Sequence, residues 1–157
     1  MTTLRIKSEK QQDTIDLGTR LARHLKRGDI LCLLGDLGAG KTTFVKGLAK
    51  GLRINPAKVN SPTFVLMNAY KGKVPLYHFD FYRLEEIHEI ASIGYDEFLY
   101  GDGVAVVEWA ERFGTLMPKE HLEVALKHQG DNGRMIKVKA KGERYVKLLE
   151  KIKEKSG

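Results

Sequence analysis

Residues Gly35 to Thr42 read Gly-Asp-Leu-Gly-Ala-Gly-Lys-Thr, which satisfies the spacing G-x-x-x-x-G-K-[ST]. That spacing serves phosphate chemistry. Glycine at Gly35, Gly38 and Gly40 admits positive φ, so successive backbone N–H groups can turn toward one anion. A helix opening near Lys41 adds unpaired N–H groups and the positive end of its dipole. Lys41 is then placed to reach the β- and γ-phosphates of a nucleoside triphosphate, and the Thr42 hydroxyl to ligate Mg²⁺. The candidate phosphate-binding set is Gly35, Leu37, Gly38, Ala39, Gly40, Lys41, Thr42 and Thr43.

Binding is not hydrolysis, and Mg²⁺ wants a further carboxylate, usually from the end of a neighbouring buried strand. Val104-Ala105-Val106-Val107-Glu108 offers one: four apolar residues ending in an acid. Tyr77-His78-Phe79-Asp80 offers another, alternating with a polar histidine. One acid would hold the metal, directly or through water, while the other orients the attacking water. Spacing leaves that division open. Lys41, Asp80 and Glu108 are the candidate catalytic residues, with Thr42 and Glu108 as candidate metal ligands. Plainer roles exist for both acids: Glu108 capping the next turn, Asp80 pairing with Arg83.

Three further features carry two readings apiece. Ser61-Pro62-Thr63-Phe64 sits where some nucleotide switches place a hydroxyl that senses the γ-phosphate, or is a turn entering a strand. Trp109 either meets a partner or fills core. Arg134 either contacts nucleotide or ends a hairpin beside a glycine turn.

These residues need elements to position them. Ile30 to Leu34 is an unbroken apolar run, as in a strand buried on both faces, and Thr43 to Leu52 has helical apolar spacing with Gly51 near its end. A helix is expected from Ser8, capped through Gln11, to about Lys26, burying Ile15, Leu17, Leu21 and Leu25. Further strands are expected at 63–70, 74–81 and 104–107, with a short helix at 85–90. His121–Lys127 and Met135–Ala140 should form a hairpin about Gly130–Gly133, before a basic C-terminal helix at about 142–155. The implied fold is a three-layer α/β domain of the P-loop type over 1–157, its mixed sheet including antiparallel hairpin strands.

Composition narrows the class. A chain of 157 residues, 42% hydrophobic and 30% charged, suits one domain with a real core. No apolar run approaches the ~18 residues of a membrane span, and the first dozen residues lack a signal-peptide core. Cys32 is the sole cysteine, so a disulfide framework is excluded and a cytoplasmic location is expected. The net charge of +7 is unevenly spread. From Arg134 to Lys155 there are nine Lys or Arg against three Glu, whereas Asn60 to Phe113 holds nine acids against four bases. The basic segment suits either an RNA backbone or a solvated helix, and the acidic one either a docking surface or solubilising charge.

The ordered series Gly35-Asp36-Leu37-Gly38-Ala39-Gly40-Lys41-Thr42-Thr43-Phe44, Ser61-Pro62-Thr63-Phe64, Tyr77-His78-Phe79-Asp80-Phe81-Tyr82-Arg83-Leu84 and Val107-Glu108-Trp109 resembles the TsaE family. Thr14-Ile15-Asp16-Leu17-Gly18 and Gly133-Arg134 extend the likeness, which runs from Ser8 to about Leu148. The resemblance implies an ATPase of threonylcarbamoyladenosine modification at adenosine 37 of tRNA, with ATP and Mg²⁺ at the site. It implies action with the TsaD and TsaB proteins, whose turnover hydrolysis would support, and leaves open whether this chain touches tRNA or only proteins that do. It also implies that Glu108 is a metal-site acid, that Asp80 is needed for hydrolysis, and that Trp109 lies near the site. Ala110 departs from the proline common there, and the lysine-rich C-terminus lies outside the shared pattern.

Two rival classes share the phosphate loop. A small-molecule kinase would want an arginine-bearing lid, and no arginine cluster follows the core. A GTPase-like switch would want an Asn-Lys-x-Asp guanine signature, which is absent after residue 60. A pure RNA-binding module would rest on the basic tail alone.

Overall fold

The backbone is organised by the strand that feeds the glycine loop. The computed structural model describes residues 3–36, 38–62, 66–92 and 94–156. Its strands are β1 (Thr3–Ser8), β2 (Ile30–Leu34), β3 (Met67–Tyr70), β4 (Leu76–Asp80), β5 (Val104–Glu108), β6 (His121–Gln129) and β7 (Gly133–Lys141). Its helices are α1 (Gln11–Ala22), α2 (Lys41–Gly51), α3 (Ile87–Ser92), α4 (Tyr95–Leu99) and α5 (Glu143–Ser156), with 3-10 turns at Pro56–Lys58 and Ala110–Leu116. The seven strands form one sheet in the order β1-β7-β6-β2-β5-β4-β3.

β2 lies at the middle, parallel to β5 on one side and β6 on the other. That position explains its composition, because a strand covered on both faces has no solvent side to carry polar residues. Leu31 and Leu33 join the core under α1, α2 and α5, while Ile30 and Cys32 join the core under α3, α4 and the second 3-10 turn. The result is the expected three-layer α/β domain with a mixed sheet: β4, β5, β2 and β6 run parallel, β3 and β7 run against them, and β1 pairs antiparallel with β7 at the edge.

The sheet contains one strand that the sequence reading passed over. Thr3-Leu4-Arg5-Ile6-Lys7-Ser8 pairs with β7, its Leu4 and Ile6 packing on the core. Ser8 therefore ends a strand instead of capping a helix. Its Oγ donates to the Lys10 carbonyl at 3.0 Å and shares a 2.8 Å hydrogen bond with Thr14 Oγ1. The α1 N-terminus is closed by Asp13, whose carboxylate accepts from the Glu9 and Lys10 amides at 3.0 and 3.3 Å. Ile15 and Leu25 are only half-buried, since α1 ends at Ala22 and turns its stripe through Leu17 and Leu21.

Other boundaries shift for local reasons. The short helix expected at 85–90 starts at Ile87 and is followed by α4 across Gly94, whose φ of +68° breaks the run. The strand expected from residue 63 is described from Met67, and residues 63–65 lie outside the described residues. The late hairpin extends to nine residues on each strand, longer than its apolar alternation suggested, because His128 and Gln129 continue the ladder opposite Arg134 and Gly133. The C-terminal helix falls where expected, burying Tyr145, Leu148, Leu149 and Ile152.

Candidate functional site

The ends of the parallel strands converge on one crevice, the place where open α/β sheets put their ligands. Gly35 leaves β2 with φ +147°, Gly38 has φ +80°, and Gly40 precedes α2 with φ +100°. A Cβ on Gly35 would stand 2.5 Å from the Leu126 carbonyl oxygen, so the loop passes β6 too closely for any side chain. Gly40 is the N-cap of α2 and offers no side-chain cap, which leaves the helix's first amides to the crevice. Leu37 lies outside the described residues. The loop is braced from β7, where Arg134 Nε donates to the Ala39 carbonyl at 3.0 Å and Nη2 to the Gly38 carbonyl at 3.2 Å.

Lys41 and Thr42 open α2 on the sheet side of the loop. The Lys41 amine donates to the Gly35 carbonyl and, at 3.1 Å, to the Asp36 carbonyl, and lies 4.0 Å from the Trp109 ring centroid. Burial lowers the Lys41 pKa, opposed by the carboxylates of Glu108, Glu111, Asp80 and Asp36. Thr42 Oγ1 donates to the Glu108 carboxylate, 3.2 Å from Oε1 and 3.0 Å from Oε2. Thr43 accepts a 3.4 Å hydrogen bond from Gln11 Nε2 on the other flank.

Both candidate acids are register partners, Asp80 at the end of β4 and Glu108 at the end of β5. Both are buried, and their environments differ. Asp80 Oδ2 accepts from Ser61 Oγ at 3.1 Å, and Oδ1 from the Tyr82 amide at 2.9 Å. Glu108 faces Thr42 and, at 2.5 Å, His78 Nε2. His78 is fully buried, and its Nδ1 lies 3.0 Å from the Tyr70 hydroxyl. A cavity of about 250 Å³ lies between these groups, lined by Gly38, Gly40, Lys41 to Thr43, Ser61, Asp80, Tyr82, Glu108 and Trp109. A larger groove of about 540 Å³ continues across the loop, past Ser8, Gln11, Thr14, Asn132 and Arg134.

The oxygens present fit a hard divalent cation. Two neighbouring ligands of octahedral Mg²⁺, at about 2.0–2.1 Å from the metal, stand about 2.9 Å apart. Thr42 Oγ1 and the nearer Glu108 oxygen are separated by 3.0 Å. Among the described residues no group of three or more His, Cys, Asp or Glu gathers as a metal cage. Such a pair therefore suits an ion completed by phosphate and water rather than an all-protein site.

The structure brings the sequence candidates together and adds to them. Lys41, Thr42, Asp80, Glu108 and Ser61 share one cavity. Trp109 packs half-buried on the core under α3 and α4, and with φ +59° it turns its ring beneath Lys41 and against Tyr82, 4.9 Å between centroids. Arg134 reaches the loop carbonyls instead of merely ending the hairpin. His78 and Tyr70 were missed. The only signal was parity, since His78 lies two residues before Asp80 and so shares its face of the strand.

Fold and site together define a P-loop-type α/β domain. A model of the family described as "Threonylcarbamoyl adenosine biosynthesis protein TsaE" matches residues 8–136. The chain is 43% identical over 153 residues to the tRNA threonylcarbamoyladenosine biosynthesis protein TsaE of Bacillus subtilis, covering 97% of this chain and 95% of that one. It is also 43% identical over 135 residues to the protein of the same name from Treponema pallidum, covering 86% and 99%. The crystal structure of Bacillus subtilis YdiB superposes with a TM-score of 0.83 at 36% identity, covering 100% of this chain and 99% of that one. The chain belongs to the TsaE family.

Proposed function

We propose that this protein is a Mg²⁺-dependent ATPase serving threonylcarbamoyladenosine modification of tRNA in the cytoplasm, acting with a TsaD–TsaB complex. The observation that carries the reading is the Thr42–Glu108 hydrogen bond beside Lys41, directly behind the glycine loop. A phosphate cradle, a buried amine and an oxygen pair of metal spacing are the parts that phosphoryl transfer to water needs. The biosynthetic role is supported by the names of the relatives, and among the described residues no helix is long and apolar enough to cross a membrane.

The residues divide the work by position. Loop amides and the start of α2 bind the phosphates, and Lys41 exchanges its carbonyl contacts for phosphate oxygens. Thr42 and Glu108 would hold Mg²⁺, which supplies neutralisation of charge on the β- and γ-oxygens. Asp80, held by Ser61 and the Tyr82 amide beside the Glu108 carboxylate that Thr42 engages, would orient an attacking water. Trp109 and Tyr82 wall the mouth of the cavity. The groove past Ser8, Thr14 and Asn132 has room for the base and sugar.

The test is product analysis with γ-labelled ATP and purified protein, alone and with the TsaD–TsaB complex. Free phosphate is expected, with turnover raised by the partners and abolished by chelation. Label on a metabolite would identify a kinase, and displacement of ATP by GTP at equal affinity would identify a guanine switch. Either result overturns the reading.

A further inference from the structure

Strand register gathers a second chemistry away from the cavity. In β1, β7 and β6 alternate residues face the helical layer of α1, α2 and α5, among them Ile6, Val124, Leu126, Ile136 and Val138. The intervening residues face the other way, and the ladders set them in rows. Lys139 lies between Thr3 and Glu123, Lys137 between Arg5 and Ala125, and Met135 between Lys7 and Lys127, with Lys141 beside His121.

This face is open. Among the described residues, the core beneath α3, α4 and the second 3-10 turn draws side chains from β2, β4 and β5 but none from β1, β6 or β7. Ala125, a small residue in the middle of a strand paired on both sides, stays partly exposed. Exposed Arg5, Lys7 and Lys127 and partly exposed Lys137, Lys139 and Lys141 thus share one surface with a single carboxylate, Glu123. Among the described residues none of these cations forms an ion pair.

Folding does not account for the pattern. Arg5 stands directly across from Lys137, a like-charge pair that weakens the ladder. Protection of a sheet edge explains cations on β1, but β7 is paired on both sides and needs none.

We propose that the open face of β1, β7 and β6 binds the phosphate backbone of tRNA directly; the inference rests on the tRNA-modification reading above. Lysines two apart on β7 repeat about every 6.6–6.8 Å along the strand, a row of point charges suited to a polyanion. The rows contain no Phe, Tyr or Trp to stack on bases, so the contact is to backbone, tolerant of sequence and steep in salt. An acidic protein surface fits less well, because protein interfaces deplete lysine at their centre and here lysines occupy it.

The experiment is fluorescence anisotropy of labelled, unmodified tRNA with the full chain across a salt series. Compared are the wild type, the double variant K137Q/K139Q, and K147Q/K151Q on the outer side of α5. The wild type is expected to bind, and K137Q/K139Q to bind at least tenfold more weakly at low salt. The slope of log K against log salt should flatten by about 1.4–1.8 for two lost cations. K147Q/K151Q should bind as the wild type does. Thermal melts confirm that each variant folds, and ATP turnover without RNA should be equal in all three, separating this proposal from the ATPase reading. Unchanged tRNA binding by K137Q/K139Q, no tRNA binding by the wild type, or equally tight binding of poly-glutamate would overturn it.

Discussion

His78 Nε2 lies 2.5 Å from Glu108 Oε2, and both side chains are buried. The pair extends back to Tyr70, whose hydroxyl is 3.0 Å from His78 Nδ1 and 3.1 Å from the Asn60 carbonyl. That hydroxyl has one proton and two acceptors in reach. Donated to Nδ1, it leaves a neutral imidazole with its hydrogen on Nε2. That hydrogen then serves the Glu108 carboxylate. The carboxylate is thereby fixed from behind while Thr42 fixes it from the front.

His78→Leu should therefore misplace Glu108 and lower kcat with little change in KM for ATP. A hydrogen bond to a charged group is worth about 1.5–3 kcal/mol, which bounds the loss at about 10- to 150-fold. His78→Gln, which retains a donor, should recover part of the rate. Steady-state ATPase kinetics decide it; equal rates for Leu and Gln would reduce His78 to a space-filler.

Replacing Lys41 by Ala should remove nucleotide binding rather than turnover. In the free protein the buried amine meets two carbonyls and the Trp109 ring, and with nucleotide it would gain charge-assisted bonds to phosphate. A fall in ATP affinity of at least 10-fold is expected by calorimetry, with the melting temperature nearly unchanged.

Glu108→Gln should retain most ATP affinity and lose Mg²⁺-dependent hydrolysis, by 100-fold or more on the order expected for electrostatic groups at a transferring phosphoryl. Asp80→Asn should spare the metal dependence of binding while slowing hydrolysis. Comparison of Mg²⁺ titrations of nucleotide affinity in the two variants tells the acids apart. Normal hydrolysis by Glu108→Gln would reverse their roles.

Gly18→Ala should loosen the support of the loop from a distance. A Cβ there would stand 2.6 Å from the Phe44 carbonyl oxygen and 3.0 Å from the Leu48 nitrogen, both backbone atoms of α2. Overpacking of this kind costs about 1–3 kcal/mol. The variant should melt lower in a calorimetric scan and bind ATP more weakly, because α2 begins at Lys41.

His121 should make stability fall on acidification. Its Nδ1 lies 2.9 Å from the Pro118 carbonyl, and among the described residues its buried Nε2 has no hydrogen-bond partner. Burial, the largest influence, lowers its pKa below the ordinary 6.5. As pH falls through 6.5 the unfolded chain takes up a proton that the folded one refuses, so unfolding is favoured. Urea titrations of His121→Gln should show a flatter pH dependence below that value than the wild type.

Local chemistry made the phosphate loop legible. Its glycines, Lys41 and Thr42 act through backbone freedom and a fixed offset from a helix start, both of which a linear string records. The apolar run of β2 likewise announced its central place, because burial on both faces leaves no polar positions. Strand-end acids were legible as types. Their division of labour was not, since it depends on which of two adjacent strands points its carboxylate at Thr42.

Register is what the string could not encode. His78 gained its partner only when β4 lay beside β5, and Tyr70 only when β3 folded back on β4. Arg134 and Leu126 meet the loop from 86 or more positions away in sequence, through β-ladders whose pairing no local propensity sets. The basic residues after Arg134 form one segment of the sequence, yet the fold sends them to different surfaces, some onto a sheet and some onto a helix. Sequence alone determined that this chain carries a glycine loop of phosphate-binding spacing between a buried strand and a helix. Tertiary structure decided which acids and which buried histidine stand behind that loop, because strand pairing fixes contacts between residues that are distant along the chain.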